Sequence, residues 1–164
     1  MEFKEILDRV IDDYRKITGL RSYVVLSKDD LNSASEKNYF CKCLKTSSKA
    51  VKLCEECAVE ALDIIAEKKN AYSYSCHAGV IKVAVPVLID SQVKAAIVVE
   101  GILNRKQLEE SDKWTEYLNQ EYNVSPSIIK NTFEAITVLN EKELAASIQL
   151  LKDLINYHFS KETA

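Results

Sequence analysis

The chain has 164 residues, of which 47% are hydrophobic and 29% charged, and its formal net charge at pH 7 is -3. This length and composition predict one globular domain over residues 1–164 and exclude intrinsic disorder. Because Lys and Arg form no basic cluster, the sequence argues against direct binding of nucleic acid.

The N-terminus lacks the basic and apolar regions of a secretory signal. The longest apolar stretch, residues 83–89, is far shorter than the roughly 20 residues of a spanning helix. We therefore predict a cytoplasmic protein with no membrane segment. Its three glycines are too few for the phosphate-binding loops of P-loop or Rossmann enzymes.

The first half of the chain predicts a helix, a strand and a second helix. Apolar residues from Phe3 to Ile17 recur every three or four positions, and Gly19 follows as a helix terminator. Residues 22–27 are rich in β-formers and predict a strand, followed by a polar loop. Residues 47–68 predict a helix with one apolar face formed by Ala50, Cys54, Ala58, Ala61 and Ile65.

Three β-rich runs follow at residues 71–75, 81–88 and 94–100. The last two are joined by a link of hairpin length, which predicts neighbouring antiparallel strands. Pro86 interrupts the second run, and proline cannot donate to a ladder, so its strand is expected at a sheet edge or beside a bulge.

Beyond residue 103 the pattern becomes helical, and residues 104–164 predict a helical tail of the same domain. Three helix starts are marked by pairs with capping or N-terminal spacing: Asn104 with Gln107, Ser125 with Pro126, and Asn140 with Glu143. The last helix, residues 141–160, carries an apolar stripe of Leu144, Ile148, Leu151, Ile155 and Phe159. The order of elements predicts an α+β fold with an antiparallel sheet flanked by helices.

Five cysteines form the most conspicuous chemical pattern, because an odd number fits poorly with a complete disulfide framework. Two closely spaced pairs are typical of thiolate half-sites for zinc or an iron–sulfur cluster. The first pair, Cys41 and Cys43, has one intervening residue, and the second, Cys54 and Cys57, lies within a predicted helix. Both features depart from the common zinc-ribbon arrangement and weaken that interpretation. Cys54 alone is expected to pack as a small hydrophobe. A metal or redox site thus remains one alternative, with the ligands Cys41, Cys43, Cys54, Cys57 and Cys76.

Two other residues could bind a ligand. His77 follows a strand and could direct a donor or acceptor into a cavity or be satisfied by backbone groups. Glu100 ends a strand before Gly101, and we expect it in solvent; the alternative is that it closes a pocket. His158 is expected to be a favourable cation near a helix C-terminus. Since the sequence shows no nucleophile, base and orienting residue together, we predict no enzymatic activity.

In chain order, the motifs resemble the PocR sensory domain, a PAS-like ligand-binding module of bacterial and archaeal regulators. Tyr74-Ser75-Cys76-His77-Ala78-Gly79-Val80 is the most specific segment. The other matching segments are Thr18-Gly19, Phe40-Cys41, Cys54-Glu55, Ala84-Val85-Pro86-Val87, residues 93–101, Val124-Ser125-Pro126 and residues 139–144.

This resemblance implies a PAS-like fold and the sensing of small organic molecules, such as short diols or other hydrocarbon derivatives. Such domains usually accompany a DNA-binding or kinase output domain, so we expect a stand-alone sensor or a piece of a longer regulator. Glu100 replaces a small residue in a strand end that is usually glycine-rich, and Val80 replaces a leucine. The identity of the ligand is therefore not carried over.

We predict a non-catalytic small-molecule sensor with the ligand-binding residues His77, Tyr74, Glu100 and Cys76. The competing classes are the metal or redox sensor described above and a pure interaction module. The final helix is expected to contribute to a homodimer and to change its packing when ligand binds.

Overall fold

The computed structural model describes residues 2–32 and 39–163. It has an antiparallel sheet flanked by helices and a long C-terminal helix, which confirms the predicted α+β, PAS-like class. Its elements are α1 (Phe3–Thr18), β1 (Arg21–Val25), a 3₁₀-helix (Lys28–Asn32), α2 (Tyr39–Leu44), α3 (Ser48–Lys68), β2 (Tyr72–Ser75), β3 (Ile81–Ile89), β4 (Gln92–Leu103), α4 (Arg105–Glu109), α5 (Ser111–Tyr122), α6 (Pro126–Glu134), β5 (Thr137–Val138) and α7 (Glu141–Thr163).

The strands are ordered β1-β4-β3-β2, and all of these neighbours are antiparallel. The short strand β5 pairs in parallel with the end of β4. The predicted hairpin joins β3 and β4 through Asp90 and Ser91, which both have positive φ, at 51° and 65°. Such a two-residue turn matches the twist of the paired strands and fixes their register.

Pro86 lies where the sequence places it, on a locally unpaired stretch of strand. β2 pairs with β3 only from Ile81 to Ala84, so within the described ranges Pro86 has a strand neighbour on the β4 side alone. A register shift follows between Val87 and Leu88. Proline has no N–H to donate, and both features suit a residue that cannot complete a ladder hydrogen bond. The prediction for Pro86 is confirmed.

One face of the sheet packs against α1 and α7 and is called the apolar face. Its alternating side chains are Val83, Val85, Val87, Ile97 and Val99, and the helices contribute Leu7, Val10, Ile11, Ile148, Leu151 and Ile155. The predicted stripe of α1 is wrong only at Ile17, which is 62% exposed. α1 ends at Gly19, whose φ of 72° is the left-handed value that favours glycine.

The opposite face contacts two separate cores. Ala61 and Ile65 of α3 pack on Ala84 and Val98 of the sheet. Near the end of β4, helices α2, α5 and α6 form another cluster with the sheet, including Phe40, Leu103, Leu118, Ile129 and Phe133. This division leaves room between the two cores for polar side chains.

The three predicted helix starts are confirmed. Asn104 and Gln107 bond each other's backbone N–H groups at 2.8 and 2.9 Å, and Asn140 and Glu143 do the same at 2.8 and 3.1 Å. Ser125 precedes Pro126, which occupies the first turn of α6. The elements that the sequence did not predict are the 3₁₀-helix, α2, the separate start of α5, and β5, all of which are short or lack a capping pattern.

Candidate functional site

Four polar side chains, one from each of the four antiparallel strands, form a row on the sheet face opposite the apolar face. Arg21 of β1 pairs in register with Glu100 of β4, and Tyr74 of β2 pairs in register with Lys82 of β3. Contact between Lys82 and Glu100 joins the two pairs. We call Arg21, Glu100, Lys82 and Tyr74 the polar row.

A bulge in β4 lies directly after Glu100. From Val99 to Ile102 β4 advances three residues, whereas β3 advances two between the residues that pair with them. The extra residue lies at Gly101, whose φ is 78°. Val99 and Ile102 therefore both lie on the apolar face, with Glu100 on the other.

Glu100 is buried and shared by two cations. Its carboxylate Oε1 lies 2.8 Å from Arg21 Nε, and its Oε2 lies 3.2 Å from Lys82 Nζ. Since only 3% of Glu100 is exposed, the expectation that it lies in solvent is wrong. Burial disfavours the charged form of Lys82, but Glu100 and smaller contributions from nearby groups together outweigh this effect, and the pKa of Lys82 lies well above its usual value.

A cavity of about 880 Å³ opens beside this end of the polar row. Its walls come from the C-terminal ends of α1 and α6, from β1, the start of α2, the bulge of β4 and β5. Arg15, Arg21, Asp30 and Glu100 contribute charges, while Phe40 and Thr132 are among its apolar and hydroxyl-bearing residues. We call it the Glu100 cavity.

A second polar arrangement surrounds His77, in the turn between β2 and β3. His77 Nε2 lies 3.0 Å from Cys54 Sγ, and His77 Nδ1 lies 2.6 Å from the Tyr122 hydroxyl oxygen. His77 is therefore satisfied by side chains and not by the backbone groups that the sequence allowed. Burial, with the nearby charges of Lys82 and Lys45, lowers the pKa of His77 to about 4. The imidazole is neutral at pH 7.

Cys54 and Cys57 of α3 lie near His77, and both have raised pKa values. Burial, against the opposing charge of Lys82, raises the pKa of Cys54 to about 11, with smaller contributions from Cys76 and Cys57. Burial also raises the pKa of Cys57, although the backbone N–H of His77 opposes that shift. Cys54 is only partly buried and contacts the imidazole, so the prediction that it serves only in packing is wrong.

Helices α4 and α5 hold the turn that carries His77. Gly79 has a φ of 83°, and a Cβ at this position would lie 2.7–2.9 Å from three ring atoms of Trp114. Gln107 Nε2 also donates to the Gly79 carbonyl oxygen. Only glycine fits both the backbone conformation and the close approach of the indole.

The predicted thiolate set is distributed over three segments, and none of the five cysteines, all of which lie in the described ranges, forms a disulfide. Cys41 and Cys43 lie on α2, Cys54 and Cys57 on α3, and Cys76 in the turn after β2. In the ranges 2–32 and 39–163 no three His, Cys, Asp or Glu side chains are placed so that they could hold a metal ion. The zinc or iron–sulfur alternative stays a prediction.

The four predicted ligand-binding residues fall in two places. Glu100 lines the Glu100 cavity, whereas His77, Tyr74 and Cys76 are not among the residues that form its described walls. Tyr74 lies at the far end of the polar row, where burial raises its pKa to about 12. Lys82 lies between Tyr74 and Glu100 in the polar row. The role of His77, Tyr74 and Cys76 in ligand binding stays a prediction.

Sequence reasoning missed Arg21, Lys82 and Tyr122. A signal for Lys82 was present, because a single lysine in the apolar run of β3 and a single glutamate near the end of β4 are opposite charges on paired strands. Nothing comparable marks Tyr122, which reaches His77 from α5. His158, expected as a helix-end cation, is buried with its Nε2 2.8 Å from Asp13 Oδ2 of α1.

The sheet, its flanking helices and the adjacent cavity define an α+β domain of the PAS-like class. The family described as the sensory domain found in PocR matches residues 3–163. The chain therefore belongs to the PocR sensory-domain family. No curated protein and no solved structure matches the chain. No helix in the described ranges combines the length and apolar content needed to cross a membrane.

Proposed function

We propose that this domain is a non-catalytic sensor that binds a small organic molecule in the Glu100 cavity. The observation that carries the proposal is a cavity of about 880 Å³ beside a buried, ion-paired glutamate, in a chain that belongs to a family of sensory domains. Ligand pockets combine apolar walls with a few fixed polar groups. The ion pairs of Glu100 fix one such group.

Short diols and other hydrocarbon derivatives are the ligands that the family resemblance implies, and the cavity walls are compatible with them. Thr132, Thr137 and Asn131 offer hydroxyl and amide groups, while Leu20 and Ile136 offer apolar surface. Such a combination suits a ligand with a short carbon skeleton and hydroxyl groups.

Thermal-shift screening with short diols, alcohols and aldehydes tests the sensor role, because a ligand that binds only the folded state raises its stability. Ala135 is exposed and lines the cavity, so Ala135→Phe should fill the cavity and abolish the shift. Ala145 is exposed on α7, and Ala145→Phe is the matched control that should keep it. Shifts that survive Ala135→Phe unchanged would place the ligand elsewhere.

A cysteine-ligated zinc or iron–sulfur sensor is the second candidate. It is favoured by the 3.0 Å approach of Cys54 Sγ to His77 Nε2 and by the position of Cys57 at the backbone of His77. Elemental analysis and an absorption spectrum of anaerobically purified protein test it. Stoichiometric zinc or an iron–sulfur band would support this candidate, and folded metal-free protein would remove it.

Output to a regulatory partner is proposed to involve α7. Ile148, Leu151 and Ile155 pack on the domain's own core, so a ligand can act on α7 only if its packing differs in free energy between the free and bound states. The homodimer stays a prediction. Light scattering at several protein concentrations, with hydrogen exchange of residues 141–160, tests both parts.

A further inference from the structure

A thiol, an imidazole and a hydroxyl group lie in a row at the turn that carries His77. Cys54 Sγ lies 3.0 Å from His77 Nε2, and His77 Nδ1 lies 2.6 Å from the Tyr122 hydroxyl oxygen. A nucleophile next to a base that is oriented by a third group is the arrangement by which proteins activate a thiol. The sequence showed no such set, because its members come from α3, the turn after β2 and α5.

The imidazole is held in the orientation that a base requires. With its hydrogen on Nδ1, His77 donates to the Tyr122 hydroxyl oxygen and presents the lone pair of Nε2 to the Cys54 thiol. The rings of His77 and Tyr122 meet edge to face, with their centroids 5.6 Å apart. Trp114 packs closely against the same turn at Gly79. A base fixed in this way can take a proton without first reorganising.

The thiol of Cys54 depends on His77 for its reactivity. Cys54 and His77 are both partly exposed, so a small molecule can approach them, whereas Tyr122 is buried. Burial raises the pKa of Cys54 to about 11, so the resting thiol is a weak nucleophile until its proton moves to the imidazole. The positive charges of Lys82 and Lys45 oppose the effect of burial and favour the thiolate.

We propose that Cys54 is a nucleophilic site that forms a covalent adduct with small α,β-unsaturated carbonyl compounds. The proton of the Cys54 thiol passes to His77 Nε2, and the sulfur forms a bond to the β-carbon of the compound. The electron pair of the C=C bond moves toward the carbonyl group as an enolate, and His77 returns the proton to the α-carbon. No group leaves and no oxidant is consumed.

Addition suits this site because His77 gives back the proton that it takes, so the reaction needs neither a leaving group nor a second proton donor. The site goes beyond the proposed function, since Cys54, His77 and Tyr122 are not among the residues described as lining the Glu100 cavity. A diol has no electrophilic carbon and does not react with the thiol.

Acrylamide is the probe, because it is small, uncharged and conjugated. The whole chain is incubated with acrylamide at pH 7 under native conditions, and peptide mass spectrometry measures the rate of reaction at each cysteine. Cys54 should gain one intact acrylamide molecule. His77→Gln should lower the rate at Cys54 about 100-fold, because the general base is lost. Cys57 of the same helix contacts the backbone N–H of His77, so its rate should stay unchanged and serves as the internal reference.

Two further variants separate the role of His77 as a base from a structural role. Tyr122→Phe removes the hydroxyl group that orients the imidazole and should slow the reaction of Cys54 by a smaller factor, with Cys57 unchanged. His158→Gln removes the other histidine, which bonds Asp13, and should leave the rate at Cys54 at its wild-type value.

Four results would overturn the inference. The first is a wild-type Cys54 that does not react. The second is a rate at Cys54 that is unchanged or raised in His77→Gln, because the imidazole would then shield the thiol instead of activating it. The third is an equal loss of rate at Cys54 and Cys57, which would indicate a general change of the fold. The fourth is stoichiometric zinc that protects Cys54 in the purified protein, which would favour the metal candidate.

Discussion

The two faces of the sheet are built from the same four strands but differ in composition and in their expected response to mutation. On the apolar face, Val83, Val85, Ile97 and Val99 pack against two long helices, and Tyr14 is the only core residue described there whose side chain carries a polar atom. On the other face the polar row buries a carboxylate between two cations. Hydrophobic packing stabilises the first face, whereas a buried ion pair is weak evidence for stability and indicates a different role.

The largest loss of stability is expected on the apolar face. Ile97 is fully buried, and Ile97→Ala should lower the free energy of unfolding by about 4 kcal/mol, because it removes apolar contacts and leaves a cavity. Urea denaturation measures this loss, and the folded variant should bind ligand with unchanged affinity. Leu88→Ala, at a residue 44% exposed on β3, is the control and should cost less than about 1 kcal/mol.

Removal of the Glu100 carboxylate from the polar row should lower the free energy of unfolding. Glu100→Gln removes the carboxylate that contacts both Arg21 and Lys82 and should cost about 3 kcal/mol. Adding Lys82→Met should recover part of that loss, since the variant then buries one unpaired cation fewer. Urea denaturation of the single and double variants measures the coupling. A double variant no more stable than Glu100→Gln would contradict the ion-pair account, and Glu109→Gln at an exposed site is the control.

Gly79 and Gly19 form a matched pair for the turn that carries His77. Both have left-handed backbones, with φ of 83° and 72°, but only Gly79 has Trp114 where a Cβ would lie. Gly19→Ala should cost about 1 kcal/mol for the backbone, and Gly79→Ala about 1 to 3 kcal/mol more for the overlap. Since Trp114 is the single tryptophan, its fluorescence emission should change only in Gly79→Ala. Equal costs would contradict the packing described.

The smallest effect concerns pH. The pKa of His77 is about 4 in the folded domain, below the value of about 6.5 in an unfolded chain. The unfolded chain therefore binds a proton more readily, and stability should fall as pH decreases from 6.5 to 4. After allowance for solvent screening at this partly exposed side chain, the loss should be about 1 to 2 kcal/mol.

His77→Gln is the variant that isolates this proton. It should flatten the difference in unfolding free energy between pH 7 and pH 4 relative to the wild type, because glutamine does not titrate. His158→Gln, which removes the histidine bonded to Asp13, is the comparison. An identical pH profile in wild type and His77→Gln would contradict a neutral, buried imidazole.

The sequence predicted the apolar face well, because hydrophobic periodicity, the two-residue hairpin turn and the capping pairs are local signals. It predicted the polar side of the molecule less well. The contact between Glu100 and Lys82 depends on the register of β3 against β4, in which Val83 pairs with Val99, and register is not readable from either strand alone. Likewise, Tyr122 reaches His77 across 45 residues of sequence, which no local pattern encodes.

The central claim is that ligand binds beside the charged end of the polar row and not at the turn that carries His77. Titration of 1,2-propanediol, a short diol, into isotopically labelled protein, followed by the backbone amide resonances, tests it most directly. The largest shift changes should occur at Gly101, Thr132 and Thr137, which line the Glu100 cavity. Changes confined to Tyr74 and the turn from Cys76 to Val80, with those three amides unmoved, would contradict the account.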